Sequence, residues 1–364
     1  MRHLLYFLTL LFLISCSKDV DELKEISPGL EWSINIGYSE FNYIKTPQGM
    51  ASTTDNGFFV IETDTLEKHN NLGGFELTTT VTANKVIKTD NGFLIYKNSP
   101  SRIISLSDNL SVDWEFSLND NVNYLLATND SYLLTHSSSK VGITKLSLAG
   151  EVVWQKNIDE EHSRLNAIQK TTNGFIAIGY KPSTDIGKDT WIVRLDDSGS
   201  IIWEKTYENN KTNDATGINI YQLDNGNFLA LSSTTDIDYD ASSIIVLDDK
   251  GEIINENQLE NTYFKSLIQT NDGDFIAVGS GYFRYREIPT PVPYYSTPTS
   301  NLAIATKINQ EGKRIWQIEK FIGDYDNMAH SAIETKDNGI IVMAGGSDYY
   351  GDNLLDIFKI NPEN

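Results

Sequence analysis

The sequence predicts an all-β fold, a seven-bladed β-propeller of four-stranded blades, on three observations. A short Asn-Gly motif recurs along the chain, and its glycines at 174, 226 and 273 are 52 and 47 residues apart. A second motif, in which a turn glycine precedes a tryptophan strand, alternates with the first. No convincing helical period interrupts the alternating apolar residues. These intervals fit the roughly 40–50 residues of a propeller blade.

The first motif marks strands one and two of each unit. An Asn-Gly or Asp-Gly pair is typical of a two-residue hairpin turn, which needs positive φ at both central residues. We therefore predict a tight hairpin at each match. A seventh copy, Asn129-Asp130-Ser131, has lost its glycine. The intact copies end at Gly57, Gly92, Gly174, Gly226, Gly273 and Gly339.

The second motif marks strands three and four. In unit four, Trp191 opens a strand, a turn follows at 197–199, and Trp203 lies on the next strand. Because tryptophan returns at one position of the repeat, we predict that it packs the blades and does not hold a cofactor. The tryptophans at this position are Trp32, Trp114, Trp154, Trp203 and Trp316.

The last unit lacks a fourth strand. Its third strand is predicted at 356–360, and the sequence ends at Asn364. The segment 30–35, which contains Trp32, matches the tryptophan strand that completes other units. We therefore predict that residues 30–36 close the ring, because closure removes an exposed sheet edge.

The repeats resemble those of quinoprotein-like propellers and are similar to the Asp-Gly-Gly-Tyr type repeats of bacterial surface propellers. The resemblance covers residues 30–361, and units four and seven match best. It implies the propeller fold. It implies no activity, because propellers host many functions, and it assigns no quinone-binding residue to this chain.

The N-terminus resembles a bacterial lipoprotein signal. A basic start precedes an apolar run at 4–14 that is too short to span a bilayer. The tetrad Leu13-Ile14-Ser15-Cys16 resembles a lipobox, which implies cleavage before Cys16 and acylation of its thiol, as with palmitate. The alternative is an ordinary signal peptide that contains a chance cysteine. We predict a signal peptide at 1–15, a lipidated tether at 16–29 and the propeller at 30–364.

The charge of the chain limits its partners. The net charge is −21, from 29 basic and 50 acidic side chains. Such a balance argues against nucleic acid, whose phosphates require basic side chains, and it leaves the lipid on Cys16 to hold the membrane. The acidic segment 19–22 resembles an export tag of surface lipoproteins, or else is a solvated linker. We expect a monomeric outer-membrane lipoprotein, which the tag would carry to the cell surface.

The loops between strands two and three, and those that join one blade to the next, should be long and should lie on the face opposite the short turns. Long loops on a rigid scaffold are where binding usually occurs. The largest, at 281–298, combines tyrosines and arginines with four of the nine prolines. Tyr and Arg are enriched at binding hot spots, and proline lowers the ordering cost of a loop. The alternative is an insertion that folds back over the propeller. The candidate ligand-binding residues are Tyr282, Phe283, Arg284, Tyr285, Arg286, Tyr294 and Tyr295.

A second loop is a candidate calcium site. Asp236, Asp238 and Asp240 alternate as in calcium loops, because a hard cation requires several oxygen ligands. Ala241 and Leu247 stand where an EF-hand has glycine and glutamate, so the loop is not an EF-hand. The alternative is a solvated acidic loop. Apart from calcium, we predict no cofactor.

The sequence has no recognisable catalytic motif. The histidines show no metal-ligand spacing, and there is no Gly-x-Ser-x-Gly elbow, P-loop or cysteine nucleophile. We therefore expect a non-catalytic module that binds a glycan or a peptide through its long loops. One alternative is a scaffold of an outer-membrane assembly or transport complex, as in the lipoprotein propeller of the barrel-assembly machinery, which the chain resembles. Another is a hydrolase, which needs two close carboxylates in a cleft.

Overall fold

A computed structural model describes residues 29–35, 47–62, 65–80, 83–98, 100–138, 140–184, 187–208, 214–235, 240–282, 301–347 and 353–361. These residues form 28 strands and the turns between them. No helix among them is long and apolar enough to cross a membrane. The predicted signal peptide, Cys16 and the tether up to residue 28 lie outside the described residues.

The described strands form seven antiparallel four-stranded blades, which confirms the predicted fold and blade number. Blade one contains β2 (Pro47–Ser52), β3 (Phe58–Glu62), β4 (Thr65–His69) and β5 (Phe75–Thr80). Blade two contains β6 (Lys85–Thr89), β7 (Gly92–Lys97), β8 (Ser101–Ser107) and β9 (Val112–Leu118). Blade three contains β10 (Asn121–Ala127), β11 (Ser131–Ser137), β12 (Lys140–Ser147) and β13 (Val152–Glu161). Blade four contains β14 (Arg164–Thr171), β15 (Gly174–Pro182), β16 (Lys188–Leu195) and β17 (Ile201–Tyr207).

The remaining blades complete the ring. Blade five contains β18 (Asp214–Gln222), β19 (Phe228–Thr235), β20 (Ala241–Leu247) and β21 (Ile253–Glu260). Blade six contains β22 (Thr262–Gln269), β23 (Phe275–Tyr282), β24 (Asn301–Ile308) and β25 (Arg314–Lys320). Blade seven contains β26 (Tyr325–Glu334), β27 (Ile340–Ser347), β28 (Asn353–Asn361) and the N-terminal strand β1 (Gly29–Asn35). One parallel contact, Lys188 to Asp214, joins blades four and five into a single sheet.

Every blade has the same connectivity. The first strand lines a central channel, and the following strands step outward to the rim. The turns between strands one and two, and between strands three and four, lie on one face, which we call the short-turn face. The connections between strands two and three, and from one blade to the next, lie on the opposite, loop-rich face. The predicted assignment of loops to faces therefore agrees with the strand order.

The N-terminal strand closes the ring. β1 pairs antiparallel with β28, so that Gly29 lies opposite Asn361 and Ser33 lies opposite Phe358. The predicted closure by residues 30–36 is confirmed, with the strand beginning and ending one residue earlier.

A buried lysine fastens this closing strand. Lys359 of β28 has a side chain that is only 1% exposed, and its Nζ lies 3.1 Å from the Glu31 carboxylate and 2.6 Å from that of Asp337. A buried ammonium group is stable only when it is paired. The Ser33 hydroxyl adds a 2.7 Å hydrogen bond to Asp356 of β28. Lys320 of β25 in blade six also donates to the Ser33 hydroxyl, at 2.7 Å, so polar contacts from blades six and seven hold β1 in place.

The repeated tryptophans join consecutive blades, which agrees with the predicted packing role. The indole N–H groups of Trp114, Trp154 and Trp203 donate to backbone carbonyls in the strand three–four turn of the next blade, at 3.1, 3.2 and 3.1 Å. A glycine in each turn leaves room for the ring. The three tryptophan–glycine pairs are Trp114 with Gly150, Trp154 with Gly199, and Trp203 with Gly251.

Trp316 packs differently because of the ring closure. Blade seven takes its fourth strand from the N-terminus, so it offers Trp316 no turn between strands three and four. Trp316 is instead buried in an apolar cluster shared by blades six and seven, with Phe358 and Ile360 among its members. The side chain of Trp32 lies outside the described residues.

The hairpins between strands one and two differ from the predicted two-residue turns. In blades one, five, six and seven a wider loop is closed by a backbone bond, such as that from the Thr53 N–H to the Gly57 carbonyl at 2.9 Å. Each of these loops has one residue with positive φ, where the prediction required two. These residues are Asn56, Gly226, Gly273 and Asn338. The motif therefore locates the hairpins, but its turn geometry was predicted wrongly for these blades.

The loop-rich face is also less uniform than predicted. A single residue, Asn261, joins blade five to blade six, and two residues join blade two to blade three. Strands two and three are joined by two residues in blade one but by residues 283–300 in blade six. The prediction of long blade-to-blade connections is therefore wrong at these positions, and 283–300 in blade six is the longest connection between described strands.

Candidate functional site

The central channel is the candidate site. It is a cavity of about 740 Å³ lined by the first strands of all seven blades. Its described wall is apolar toward the short-turn face, where Leu267 and Ile333 contribute. Lys85, Arg164 and Tyr263 lie nearer the loop-rich face, because the first strands begin at that face. A concave cavity with a few convergent polar groups is typical of a ligand site.

Bulges aim side chains into this channel. On six of the seven first strands the register with the second strand shifts by one unpaired residue. A bulge of this kind redirects one side chain and is frequent beside functional sites. We call the channel-lining residues at these shifts the bulge ring. Its described side chains are Asn123, Asn166, Ile218, Lys265 and His330.

A hydrogen-bonded chain holds part of the channel wall. The Gln169 amide donates to the Tyr124 hydroxyl at 3.1 Å and to Asn219 at 3.0 Å. The Asn219 amide donates in turn to Tyr221 at 3.2 Å and to the Leu267 carbonyl at 3.1 Å. Burial raises the pKa of both tyrosines, so they remain neutral donors and acceptors. This chain ties the first strands of blades three to six together.

Cations collect at the loop-rich end of the channel. Lys85 and Arg164 begin their strands, and Lys265 stands on the bulge of β22. Lys85 Nζ lies 4.5 Å from the centre of the Tyr124 ring, and Lys265 Nζ lies 4.8 Å from that of Tyr263. Among the described residues that line the channel there is no aspartate or glutamate.

The environment of the channel lowers the pKa of two of its bases. Burial lowers the pKa of Lys85 to about 8, because charge is poorly solvated there. Burial, with a smaller contribution from the Lys265 charge, lowers the pKa of His330 to about 4. His330 is therefore neutral at pH 7, whereas Lys85 is mostly charged.

The predicted ligand-binding loop begins and ends on the same face as the channel mouth. Tyr282 is the last residue of β23, and Asn301 begins β24. Phe283, Arg284, Tyr285, Arg286, Tyr294 and Tyr295 lie outside the described residues, as does the side chain of Tyr282. Their role therefore stays a prediction.

The predicted calcium loop is described only at its end. Asp240 precedes β20 on the loop-rich face, and Asp236 and Asp238 lie outside the described residues. In the described part of the chain no group of three His, Cys, Asp or Glu side chains could hold a metal ion. The calcium site stays a prediction.

One smaller cavity contains two carboxylates, which a hydrolase would require. It measures about 310 Å³, lies between blades six and seven, and is lined by Asp272 and Glu334. Both carboxylates already have structural partners. Asp272 accepts from Thr270 at 2.6 Å and from Lys307 at 2.5 Å, and Glu334 accepts from the Asn271 N–H at 2.8 Å.

The same Thr-x-Asp contact recurs in other turns, which argues for a structural role. Asp55, Asp130 and Asp337 each accept a hydrogen bond from the threonine two residues before them. Lysines also pair with these aspartates, as Lys359 does with Asp337. Because the arrangement repeats around the ring, we interpret Asp272 as part of a turn and not as a catalytic acid.

Sequence reasoning missed the channel residues, although a weak signal for them exists. Along a regular strand, buried residues alternate. At a bulge, two successive buried residues are three positions apart instead of two, as Val122 and Leu125 are, or Phe264 and Leu267. The residues between them include Asn123 and Lys265, which line the channel.

The fold and channel define the chain as a β-propeller, and comparison with solved structures agrees. A chain of a mitotic checkpoint complex has a TM-score of 0.60 at 12% identity, over 98% of each chain. BBS1N, solved in complex with ARL6DN, has a TM-score of 0.55 at 10% identity, over 85% of this chain and 88% of that chain. The Dos1 propeller has a TM-score of 0.51 at 11% identity, over 91% and 95%. Identities this low show the fold alone.

No known protein family matches the chain, and no curated protein does.

Proposed function

We propose that this chain is a non-catalytic binding module that holds a glycan or a peptide at the loop-rich end of its central channel. The bulge ring is the observation that carries the proposal. Six first strands leave residues out of the sheet register, one on each of five strands and two on β26, and five described side chains at these bulges line the cavity. Packing alone would favour apolar residues here, yet Asn123, Asn166, Lys265 and His330 are polar. The amides of Asn123 and Asn166 also donate within the fold, to Ser137 at 3.0 Å and to the Gly217 carbonyl at 2.9 Å.

The chemistry of the channel suits recognition. Amide groups donate and accept hydrogen bonds, and tyrosine rings offer rigid apolar faces with a polar tip. Tyr180 and Tyr263 line the channel beside Asn166 and Lys265. The loop at 283–300 starts and returns at the same face, so we propose that it adds contacts to a ligand in the mouth.

We also propose that the channel binds its ligand without catalysing a reaction. The described channel lining contains no carboxylate that could act as a general acid or nucleophile. The carboxylates of Asp272 and Glu334 lie in another cavity and are engaged by turn and lysine contacts.

Binding to a glycan array and to a peptide library, with the full chain and with a variant lacking 283–297, tests the proposal. We expect the deletion to weaken binding, and Asn166→Ala in the bulge ring to weaken it further. Lys250→Gln, in an exposed turn on the short-turn face, is the matched control and should bind as the unmodified chain does. Unchanged binding after the deletion would remove the loop from the site, and unchanged binding in Asn166→Ala would remove the channel.

A second function, a scaffold for a protein complex at the outer membrane, is favoured by a different observation. Aliphatic pairs follow the strand three–four turns of blades three, four and five. Val153, Ile202 and Ile254 hold equivalent positions at the rim and are 56%, 56% and 55% exposed. Repeated exposed apolar residues are typical of protein contacts.

The two functions separate experimentally. A scaffold should retain a membrane-protein partner through purification and lose it when Ile202→Asp and Ile254→Asp are combined. Substitutions in the channel should leave that partner bound. Retention of the partner in the double variant would contradict the rim as its contact.

We also propose anchoring in the outer membrane through a lipid on Cys16. The lipobox resemblance supports this, together with the net charge of −21, which disfavours direct adhesion to anionic lipid.

A further inference from the structure

We infer that the ligand is an acidic glycan, and that Lys85, Arg164 and Lys265 bind its carboxylate or sulfate groups at the loop-rich end of the channel. The inference rests on the proposed binding function and specifies its ligand class. Three observations carry it: the sign of the channel charge, the lack of counter-ions for these cations, and the aromatic rings beside two of them.

The channel has the opposite charge to the rest of the chain. Acidic side chains outnumber basic ones by 50 to 29 overall. The described channel lining instead contains Lys85, Lys88, Arg164 and Lys265 and no acidic residue. Lys88 directs its ammonium group to Asp108, at 3.1 Å, and leaves three cations at the mouth. A cleft lined by one sign of charge concentrates the opposite charge.

These three cations have no counter-ion in the described structure. The side chains of Lys85, Arg164 and Lys265 form no salt bridge and no hydrogen bond with any described residue. Two largely buried lysines elsewhere in the fold are paired, Lys307 with Asp272 and Lys359 with Asp337. Gathering like charges without partners costs free energy. An anionic ligand would supply the missing charge.

Burial of Lys85 strengthens its requirement for a counter-ion. Lys85 lies at the start of β6 with its Cγ near Gly49 of the neighbouring blade, and burial lowers its pKa to about 8. The charge of Lys265 reaches His330 and helps to lower its pKa. An anion bound between Lys85 and His330 would raise the pKa of both groups, since it favours their protonated forms.

The aromatic rings favour a sugar over a peptide. Lys85 lies over the Tyr124 ring and Lys265 over the Tyr263 ring, and Tyr180 lines the channel near them. Lysine stems and tyrosine rings thus place an apolar surface directly beside the charges of Lys85 and Lys265. An acidic pyranose has the complementary pattern, an apolar C–H face next to its carboxylate or sulfate. A flexible acidic peptide offers charge without the rigid apolar face.

The test is an array of uronic-acid, sialylated and sulfated oligosaccharides printed beside their neutral counterparts, together with poly-glutamate. The full chain is applied unmodified and as Arg164→Gln, Lys265→Gln and Lys250→Gln. Arg164 and Lys265 are exposed to the channel, so their variants should melt at the temperature of the unmodified chain. Lys250 controls for loss of one positive charge far from the mouth.

We expect acidic oligosaccharides to bind and their neutral counterparts to bind at least about tenfold more weakly. Each channel variant should weaken acidic binding about tenfold, and Lys250→Gln should not change it. Salt should weaken the binding of the unmodified chain, because exposed charges are screened.

Several results would overturn the inference. Equal binding of neutral glycans would leave a glycan module but reject the ionic contacts. Binding of poly-glutamate without any acidic sugar would make the ligand an acidic peptide. Acidic binding that survives both channel substitutions would move the site elsewhere. Failure of every glycan and peptide would reject the proposed function together with the inference.

Discussion

Replacement of Gly150 by alanine should destabilise the junction between blades two and three. Gly150 has φ of +80° in the turn between strands three and four, and the indole of Trp114 packs on it. An alanine Cβ would lie 2.5 Å from Cε3 of that ring. The substitution therefore has two separate costs, the backbone conformation and the contact with the ring.

The cost of the backbone conformation and the cost of the ring contact can be estimated separately. A left-handed conformation costs a non-glycine residue about 1–2 kcal/mol. Overpacking a filled contact costs about 1–3 kcal/mol, and the lower half applies because Trp114 is partly exposed and its ring can move. Gly226 has φ of +86° with no atom within 4 Å of its Cβ position. Gly226→Ala thus measures the backbone cost alone.

Urea unfolding of the unmodified chain, Gly150→Ala and Gly226→Ala, followed by circular dichroism, gives the comparison. We expect Gly150→Ala to lose about 1–2 kcal/mol more than Gly226→Ala. In a Trp114→Leu background this difference should shrink, because the ring that the Cβ meets has gone. Equal losses in the two alanine variants would refute the proposed contact between turn and tryptophan.

Four further outcomes are expected. A chain that starts at residue 40 should melt well below the full chain, because β28 loses its partner strand; equal melting temperatures would disprove ring closure by 29–35. Cys16→Ser should move the protein from the membrane fraction to the soluble fraction. The free energy of unfolding should fall by at most about 3 kcal/mol as the pH drops from about 6.5 toward 4, because folding holds the pKa of His330 at about 4, below its unfolded value. Urea midpoints measured across this pH range should show the fall, and His330→Asn should reduce it. Calorimetric titration should detect calcium binding that Asp236→Asn and Asp238→Asn together abolish, and the same heat in that variant would exclude the loop.

The blade architecture was predictable because it depends on local signals. A turn glycine such as Gly199 and a rim tryptophan such as Trp203 repeat at the same place in several units, and each acts on its immediate neighbours. The last unit lacked a fourth strand, and the tryptophan segment at 30–35 belonged to no other unit. Together they predicted that this segment completes the last blade. The structure confirms both the count and the closure.

The turn geometry and the channel were not predictable in the same way. Whether Asn56 alone or both residues of its Asn-Gly pair adopt positive φ depends on a wider loop closed from Thr53. The channel depends on register between neighbouring strands, where one unpaired residue turns Lys265 toward the axis. A single strand read alone does not reveal its register. Seven strands from distant parts of the chain must also meet before their cations become neighbours.

The pairing of Gly29 with Asn361 also fixes the face of the propeller at which the N-terminal chain enters. β1 is a fourth strand, so it runs from the short-turn face toward the loop-rich face, and any chain that leads into Gly29 arrives at the short-turn face. The residues from Cys16 to Gly29 span at most about 40–50 Å when extended. A tether from a lipid on Cys16 would therefore join the propeller at its short-turn face. The mouth of the channel, with Arg164 and Lys265, lies on the face opposite the one where such a tether would join the propeller.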